Sequence, residues 1–202
     1  SSITPQPQIQ AYPGVTVQVF KEIAPVGRTE PQKGVYVFDM GTNLAGVVRL
    51  KVRGKAGDTV VLRFAERLNP DGTIYTTNLR GARATDTYIC KGTGVEVWQP
   101  QFTFHGFQYV EVTGFPGVPG NDAVTAVELT SATPQAGTFS CSEPMLNQLY
   151  HNICQTQRSN FIDIPTDCPQ RDERLGWTGD AQVYINTACY NNDVQAFFAK
   201  WL

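Results

Sequence analysis

The hydrophobic period changes once along the chain. From Val15 to about Thr130 it is two. Val15-Thr16-Val17-Gln18-Val19 alternates, as do Val48-Arg49-Leu50-Lys51-Val52-Arg53 and Val60-Val61-Leu62-Arg63-Phe64. Shorter runs follow at Thr87-Tyr88-Ile89-Cys90, Val95-Glu96-Val97-Trp98, Phe102-Thr103-Phe104, Tyr109-Val110-Glu111-Val112 and Val124 to Leu129. Turn-forming clusters separate them, among them Asn69-Pro70-Asp71-Gly72, Lys91-Gly92-Thr93-Gly94 and Gly114-Phe115-Pro116-Gly117. About eight short strands, each with one apolar face, need two layers to bury those faces. A mainly β fold is therefore expected, a jelly-roll-like antiparallel β-sandwich. Val60, Leu62 and Tyr109, or their alternates, should face inward.

Beyond Pro134 the period becomes helical. Ser142 is the expected N-cap, with Pro144 in the first turn. Leu146, Leu149, Tyr150 and Ile153 then share one helical face, and Arg158-Ser159-Asn160 closes the helix. A second helix is expected near Asp180 with Val183, Tyr184 and Ala188. A third follows Asn191-Asn192-Asp193 with Val194, Phe197, Phe198 and Trp201. The break at Ala132-Thr133-Pro134 divides the chain into a sandwich domain with an N-terminal linker over residues 1–133 and a helical segment over 134–202.

Composition narrows the class. Hydrophobic residues make up 41% of the 202, enough for one large domain, or a domain plus part of another. Disorder, collagen and coiled coil are excluded, and no apolar run is long enough for a membrane helix. Lys+Arg 16 against Asp+Glu 18 gives a net charge of −2 with no basic run, which excludes nucleic acid and an anionic membrane as partners. Five scattered cysteines without a CxxC pair argue against a zinc site and a dense disulfide framework. The chain opens on the linker-like Ser1-Ser2-Ile3-Thr4-Pro5-Gln6-Pro7-Gln8 with no leader pattern, and it stops inside an apolar pattern at Lys200-Trp201-Leu202. It is expected to be a piece of a larger protein. Its compartment is left open.

The chemistry lies between the first two helices. Residues 163–180 read Asp-Ile-Pro-Thr-Asp-Cys-Pro-Gln-Arg-Asp-Glu-Arg-Leu-Gly-Trp-Thr-Gly-Asp and carry five acids. Two prolines and two glycines make this a loop. Glycosidic hydrolysis needs one carboxylic acid to protonate the leaving oxygen and a second carboxylate on the opposite side, and a tryptophan suits the apolar face of a sugar. The composition alone fits a solvated salt-bridge loop or a calcium site equally well.

The string itself closely resembles the signature of bacterial and fungal α-L-rhamnosidases, inverting glycoside hydrolases with an (α/α)6 catalytic barrel. Phe38-Asp39-Met40-Gly41-Thr42-Asn43-Leu44-Ala45-Gly46, Ala65-Glu66-Arg67-Leu68 with Asp71-Gly72-Thr73-Ile74-Tyr75, and Phe102 to Val110 are similar to that family's sandwich domain. The resemblance runs from about residue 34 to the end. It implies that 134–202 begin a six-hairpin barrel and that Glu173 is the general acid. Asp167 and Asp180 would bind the sugar's hydroxyls, with Arg171 contributing to the same pocket and Trp177 against the ring or methyl group. The general base would come from a later loop outside this chain. The implied partner is a rhamnose-containing glycoside or polysaccharide; no cofactor or metal is implied, since an acid and a base suffice.

Other readings stand beside these. Asp172 and Arg174 are expected to be structural partners, and His105 a structural histidine within the β-pattern. A non-catalytic carbohydrate-binding or supporting sandwich module is the second function reading. The isolated chain is expected to lack activity without the base. Leu149, Ile153, Val183, Phe197, Phe198 and Trp201 are expected to lack most of their partners, so the helices should pack on the sandwich, pair as a homodimer, or be partly disordered.

Overall fold

The computed structural model describes Gln8, Ile9 and residues 11–202; most of the linker-like opening at residues 1–8 lies outside the described residues. The chain order is β1 (Val17–Ile23), β2 (Gly27–Gln32), β3 (Val35–Arg53), β4 (Thr59–Ala65), a short hairpin β5–β6 (Arg67–Leu68 and Ile74–Tyr75), β7 (Thr85–Ile89), β8 (Val95–Trp98), β9 (His105–Thr113) and β10 (Val124–Ser131). Then come α1 (Pro144–Asn160), a second short hairpin β11–β12 (Phe161–Ile162 and Ile164–Pro165), α2 (Thr178–Asn191) and α3 (Gln195–Trp201).

The mainly β architecture is present as one curled antiparallel sheet in the order β1-β10-β3-β9-β4-β7, with β2 and β8 also on β3. The 19-residue β3 joins the two layers. Its first half pairs with β2 and β9, and its second half with β10 and β8. The register breaks between Asp39 and Leu44, where Gly41 takes a positive φ of 73°. A side chain at that φ would be strained, so glycine suits the bend. Inside the curl lie Phe38, Leu50, Val60, Leu62, Phe64 and Phe107, all fully buried.

Several details depart from the sequence pattern. Val60 and Leu62 face the core, but Tyr109 does not: Val110 and Val112 take that role, while Tyr109 packs outside with Val37, Ala65 and Ile74. Phe102-Thr103-Phe104 is a loop rather than a strand, and Phe102 is wholly exposed. Conversely, β2 has no alternating pattern, because Gly27-Arg28-Thr29-Glu30-Pro31-Gln32 pairs with β3 while largely exposed. The α1 cap is Glu143, not Ser142: its carboxylate accepts the Met145 N–H at 3.0 Å, with Pro144 in the first turn.

Helix α1 lies on β3 and β10. The contact surrounds Glu128, which is completely buried. The Gln155 side-chain amide donates to Glu128 Oε1 at 2.7 Å, and Lys21 and Arg158 supply positive charge at 3.6 and 3.8 Å. Helices α2 and α3 close on Phe161, whose ring stacks on Phe197 at 4.5 Å and meets Phe198 edge-on. Phe197 and Phe198 are thus buried, contrary to the expectation that they lack partners. Leu149 and Val183 do remain exposed. No helix among the described residues is long and apolar enough to cross a membrane, and the five cysteines are free.

Candidate active site

Residues 161–177 leave α1 through a tight hairpin and return as a closed loop. Asp163 sits at the hairpin tip with φ 68°, and its N–H donates to Ser131 Oγ at 2.9 Å. Thr166 donates both its N–H and its hydroxyl to the Asn160 carbonyl at the end of α1. The loop then closes on itself. Asp167 donates its N–H to the Leu175 carbonyl at 3.1 Å, and the Leu175 N–H returns to Asp167 Oδ1 at 2.9 Å.

Four of the five expected site residues meet here. Arg171 lies between two carboxylates, with Nη2 3.7 Å from Asp167 Oδ2 and 2.8 Å from Glu173 Oε2. The Trp177 indole N–H donates to Glu173 Oε1 at 3.2 Å. Asp180 stands apart, in the first turn of α2, where a carboxylate favours the helix N-terminus. It joins the group through a cavity of about 140 Å³ that Asp167 and Asp180 line with Ala181, Tyr184 and Phe198.

The electrostatics separate the two loop carboxylates. Burial opposes the charged form of Asp167, but the Cys168 thiol, the Leu175 N–H and the Arg171 guanidinium together hold its carboxyl below the usual carboxylate range. The Asp167 side chain is nearly inaccessible, whereas that of Glu173 is 26% exposed. Of these two, Glu173 is the more open to solvent. Asp167, Cys168 and Glu173 place one ligand atom each within 4.8 Å of one another. The Arg171 cation already supplies positive charge between the two carboxylates, and burial raises the Cys168 thiol first of all. This donor set is matched to the arginine rather than to a metal ion.

The sheet supplies partners that sequence reasoning missed. Arg80, after β6, places Nη1 3.0 Å from Glu173 Oε2. The Gly81 N–H donates to Asp172 at 3.3 Å, and Arg174 donates to the Phe104 carbonyl at 2.9 Å while its guanidinium covers the Phe104 ring. Asp172 and Arg174 are in this way structural, in the roles expected of them. Gly106 lets the loop lie flush on β9, because a Cβ there would stand 2.9 Å from Gln170. No periodicity encodes these approaches; they are tertiary. His105 is buried, stacks on Phe64 and contacts Asp86 at 3.0 Å, a structural setting.

Comparison with known proteins adds the following. Residues 29–130 match the bacterial alpha-L-rhamnosidase concanavalin-like domain, and residues 134–202 match the bacterial alpha-L-rhamnosidase 6 hairpin glycosidase domain. An alpha-L-rhamnosidase of Streptomyces avermitilis is 54% identical over 195 residues, covering 96% of this chain and 19% of the relative. One from Formosa agariphila is 52% identical over 82% of this chain and 18% of the relative. The chain thus spans about a fifth of the length of these relatives. The crystal structure of the Streptomyces avermitilis alpha-L-rhamnosidase complexed with L-rhamnose superposes with a TM-score of 0.93 at 53% identity, over 96% of this chain and 19% of that one. The alpha-L-rhamnosidase structure from Dictyoglumus thermophilum gives 0.91 at 42% identity, over 93% and 21%.

Proposed function

The chain belongs to the bacterial α-L-rhamnosidase family, and from that premise we propose that it forms part of an enzyme that removes terminal α-L-rhamnose from glycosides or polysaccharides with inversion. In this reading residues 1–133 are the sandwich domain with its linker, and 134–202 open the six-hairpin catalytic domain. Glu173 is the general acid. As the glycosidic bond breaks, its proton passes to the departing oxygen, and a water attacks the anomeric carbon from the opposite face. The base that takes the water's proton lies outside this chain, so the isolated 202 residues are inactive. Asp167, Arg171 and Asp180 bind sugar hydroxyls, and the exposed Trp177 ring packs on the sugar.

One observation carries the assignment: Glu173 is the more exposed of the two carboxylates beside Arg171, and Arg80, Arg171 and Trp177 all converge on it. The second reading, a stand-alone binding or supporting module, has no comparable support, since the match to a glycosidase domain extends from 134 to the end. For the isolated chain a homodimer would form through the helices, which expose Met145, Leu146 and Leu149 on α1 and Val183 on α2.

The test is Glu173→Gln in the protein extended to its relatives' length. Turnover of an alkyl α-L-rhamnoside should fall about 10²–10⁴-fold with the fold intact. An unchanged rate on that poor leaving group would remove Glu173 from the role. NMR of the first-formed rhamnose should show the inverted anomer, and retention would refute single displacement.

A further inference from the structure

Glu173 is held from two directions. Arg171 reaches Oε2 from within the loop at 2.8 Å, and Arg80 reaches the same oxygen from the sheet at 3.0 Å. Oε1 receives the Trp177 indole N–H at 3.2 Å. Each carboxyl oxygen offers two lone pairs. Arg80 donates to Oε2 and the Arg171 cation stands against the same oxygen, so a proton there would face two positive charges, while Oε1 keeps one direction free. An N–H cannot point at an O–H hydrogen, so a proton on this carboxyl group belongs on Oε1. Remove Arg80 and Oε2 loses its one hydrogen-bond donor and one of the two cations beside it. The terminal torsion of a glutamate is broad and nearly two-fold, so the proton then divides between the two oxygens.

Arg80 reaches this position at a conformational cost. Its backbone lies at φ 55° and ψ −118°, a conformation that glycine adopts freely and side-chain-bearing residues resist. The guanidinium projects from that point across to the helical segment, and the next residue, Gly81, donates its N–H to Asp172.

We propose that Arg80, carried by the sheet domain, is a positioning residue for the Glu173 carboxyl group, fixing Oε1 as the oxygen that carries and releases the proton. The inference rests on the reading of Glu173 as the general acid. In the step itself the O–H bond at Oε1 breaks, and the proton forms a bond to the glycosidic oxygen as that oxygen leaves the anomeric carbon with the bonding pair. Water supplies the new bond to carbon and gives its proton to the base outside this chain. Glu173 ends as a carboxylate, and Arg80 and Arg171 both stabilise the negative charge that develops on it. The sheet domain therefore takes part in the chemical step as well as supporting the barrel.

The strained backbone supplies a discriminating variant. Arg80→Gly removes the guanidinium while relaxing the main chain, so its melting temperature should equal or exceed that of the unaltered protein. In the protein extended to its relatives' length, kcat on an alkyl α-L-rhamnoside should fall about tenfold. On a nitrophenyl α-L-rhamnoside, whose leaving group needs little protonation, the loss should stay within about twofold. KM should hold on both. Arg80→Lys should recover most of the loss, because a single N–H contact is being replaced. Arg83→Ala, an exposed arginine of the same loop, should leave both rates unchanged. In a Glu173→Gln background, Arg80→Gly should add nothing.

Equal losses on the two substrates, no loss on either, or a loss accompanied by a lower melting temperature would each overturn the proposal. If Glu173→Gln discriminates between the leaving groups and Arg80→Gly does not, only the role of Arg80 falls. If Glu173→Gln changes neither rate, the reading of Glu173 as the acid has failed.

Discussion

Replacing Gly46 with alanine would put a methyl group where the sheet has no room. Gly46 lies on β3 between Glu128 of β10 and His105 of β9. A Cβ there would stand 2.0 Å from the Val127 carbonyl oxygen, 2.9 Å from its carbon and 3.1 Å from Glu128 Cα. These are backbone atoms, and no side chain can swing aside, so one strand must retreat by roughly 1 Å or more. Overpacking of this kind costs about 1–3 kcal/mol. Two adjacent ladder hydrogen bonds loosened by the retreat add about 0.5–1.5 kcal/mol each. The sum is about 2–6 kcal/mol, or roughly 5–20 °C in melting temperature for a chain of this length. The displaced strand carries Glu128, the buried anchor of α1, so the helix should loosen with it. Thermal or urea unfolding followed by circular dichroism measures the loss. Gly27→Ala is the matched control, since a Cβ at Gly27 meets nothing within 4 Å; it should stay within about 0.5 kcal/mol of the parent. If Gly46→Ala is as mild as the control, the argument from close strand approach is wrong.

Two other outcomes follow from the core and its ionised groups. The Lys91 N–H, the Tyr88 hydroxyl and the Thr93 and Gly92 N–H groups converge on Glu96 and depress its carboxyl from 4.5 to about 2. A group depressed in the folded state contributes stability that is complete above its unfolded value and is lost on acidification. Stability should therefore decline between pH 4.5 and about 2, and Glu96→Gln should flatten that part of a pH series of urea midpoints. Phe161→Ala should cost about 3–5 kcal/mol, because the ring is buried between Phe197, Phe198 and Tyr184; a urea-measured loss below about 1 kcal/mol would mean that α2 and α3 do not depend on it.

Much of the fold was legible because its dominant cue is local. The runs at 48–53 and 60–64 alternate and are strands, since the apolar face of each meets the core. The run at 95–98 is a strand as well, but Val95 and Val97 face outward and Glu96 is the buried side chain. Helix α1 announced itself through Leu146, Leu149, Tyr150 and Ile153, although part of that face, Leu146 and Leu149, remains exposed in this chain. Edges were harder. Strand β2 is an exposed edge with a proline, so no buried face imposes alternation. Phe102-Thr103-Phe104 alternates, yet its backbone is used otherwise, with the Phe104 carbonyl serving Arg174. Phe197 and Phe198 found partners within the chain because Phe161, a residue of the loop side, folds back between them.

The candidate site shows why the boundary in the sequence is not the boundary of the chemistry. A loop with prolines, glycines and five acids cannot satisfy its own polar groups. Asp167 is met from inside the loop, by the Leu175 N–H and by Arg171. Asp172, Arg174 and half of the charge compensation of Glu173 are met from the sheet, by the Gly81 N–H, the Phe104 carbonyl and Arg80. Arg80 and Gly81 lie about eighty residues before the loop and Phe104 just under sixty, in segments with no charge pattern to mark them. Each contact is modest alone, since exposed ion pairs contribute little. Together they fix the loop against two rigid elements, α1 through Thr166 and β9 through the bare backbone at Gly106. The role proposed for Glu173, delivery of a proton along one direction, needs such a frame. In this chain the curled sheet supplies half of it.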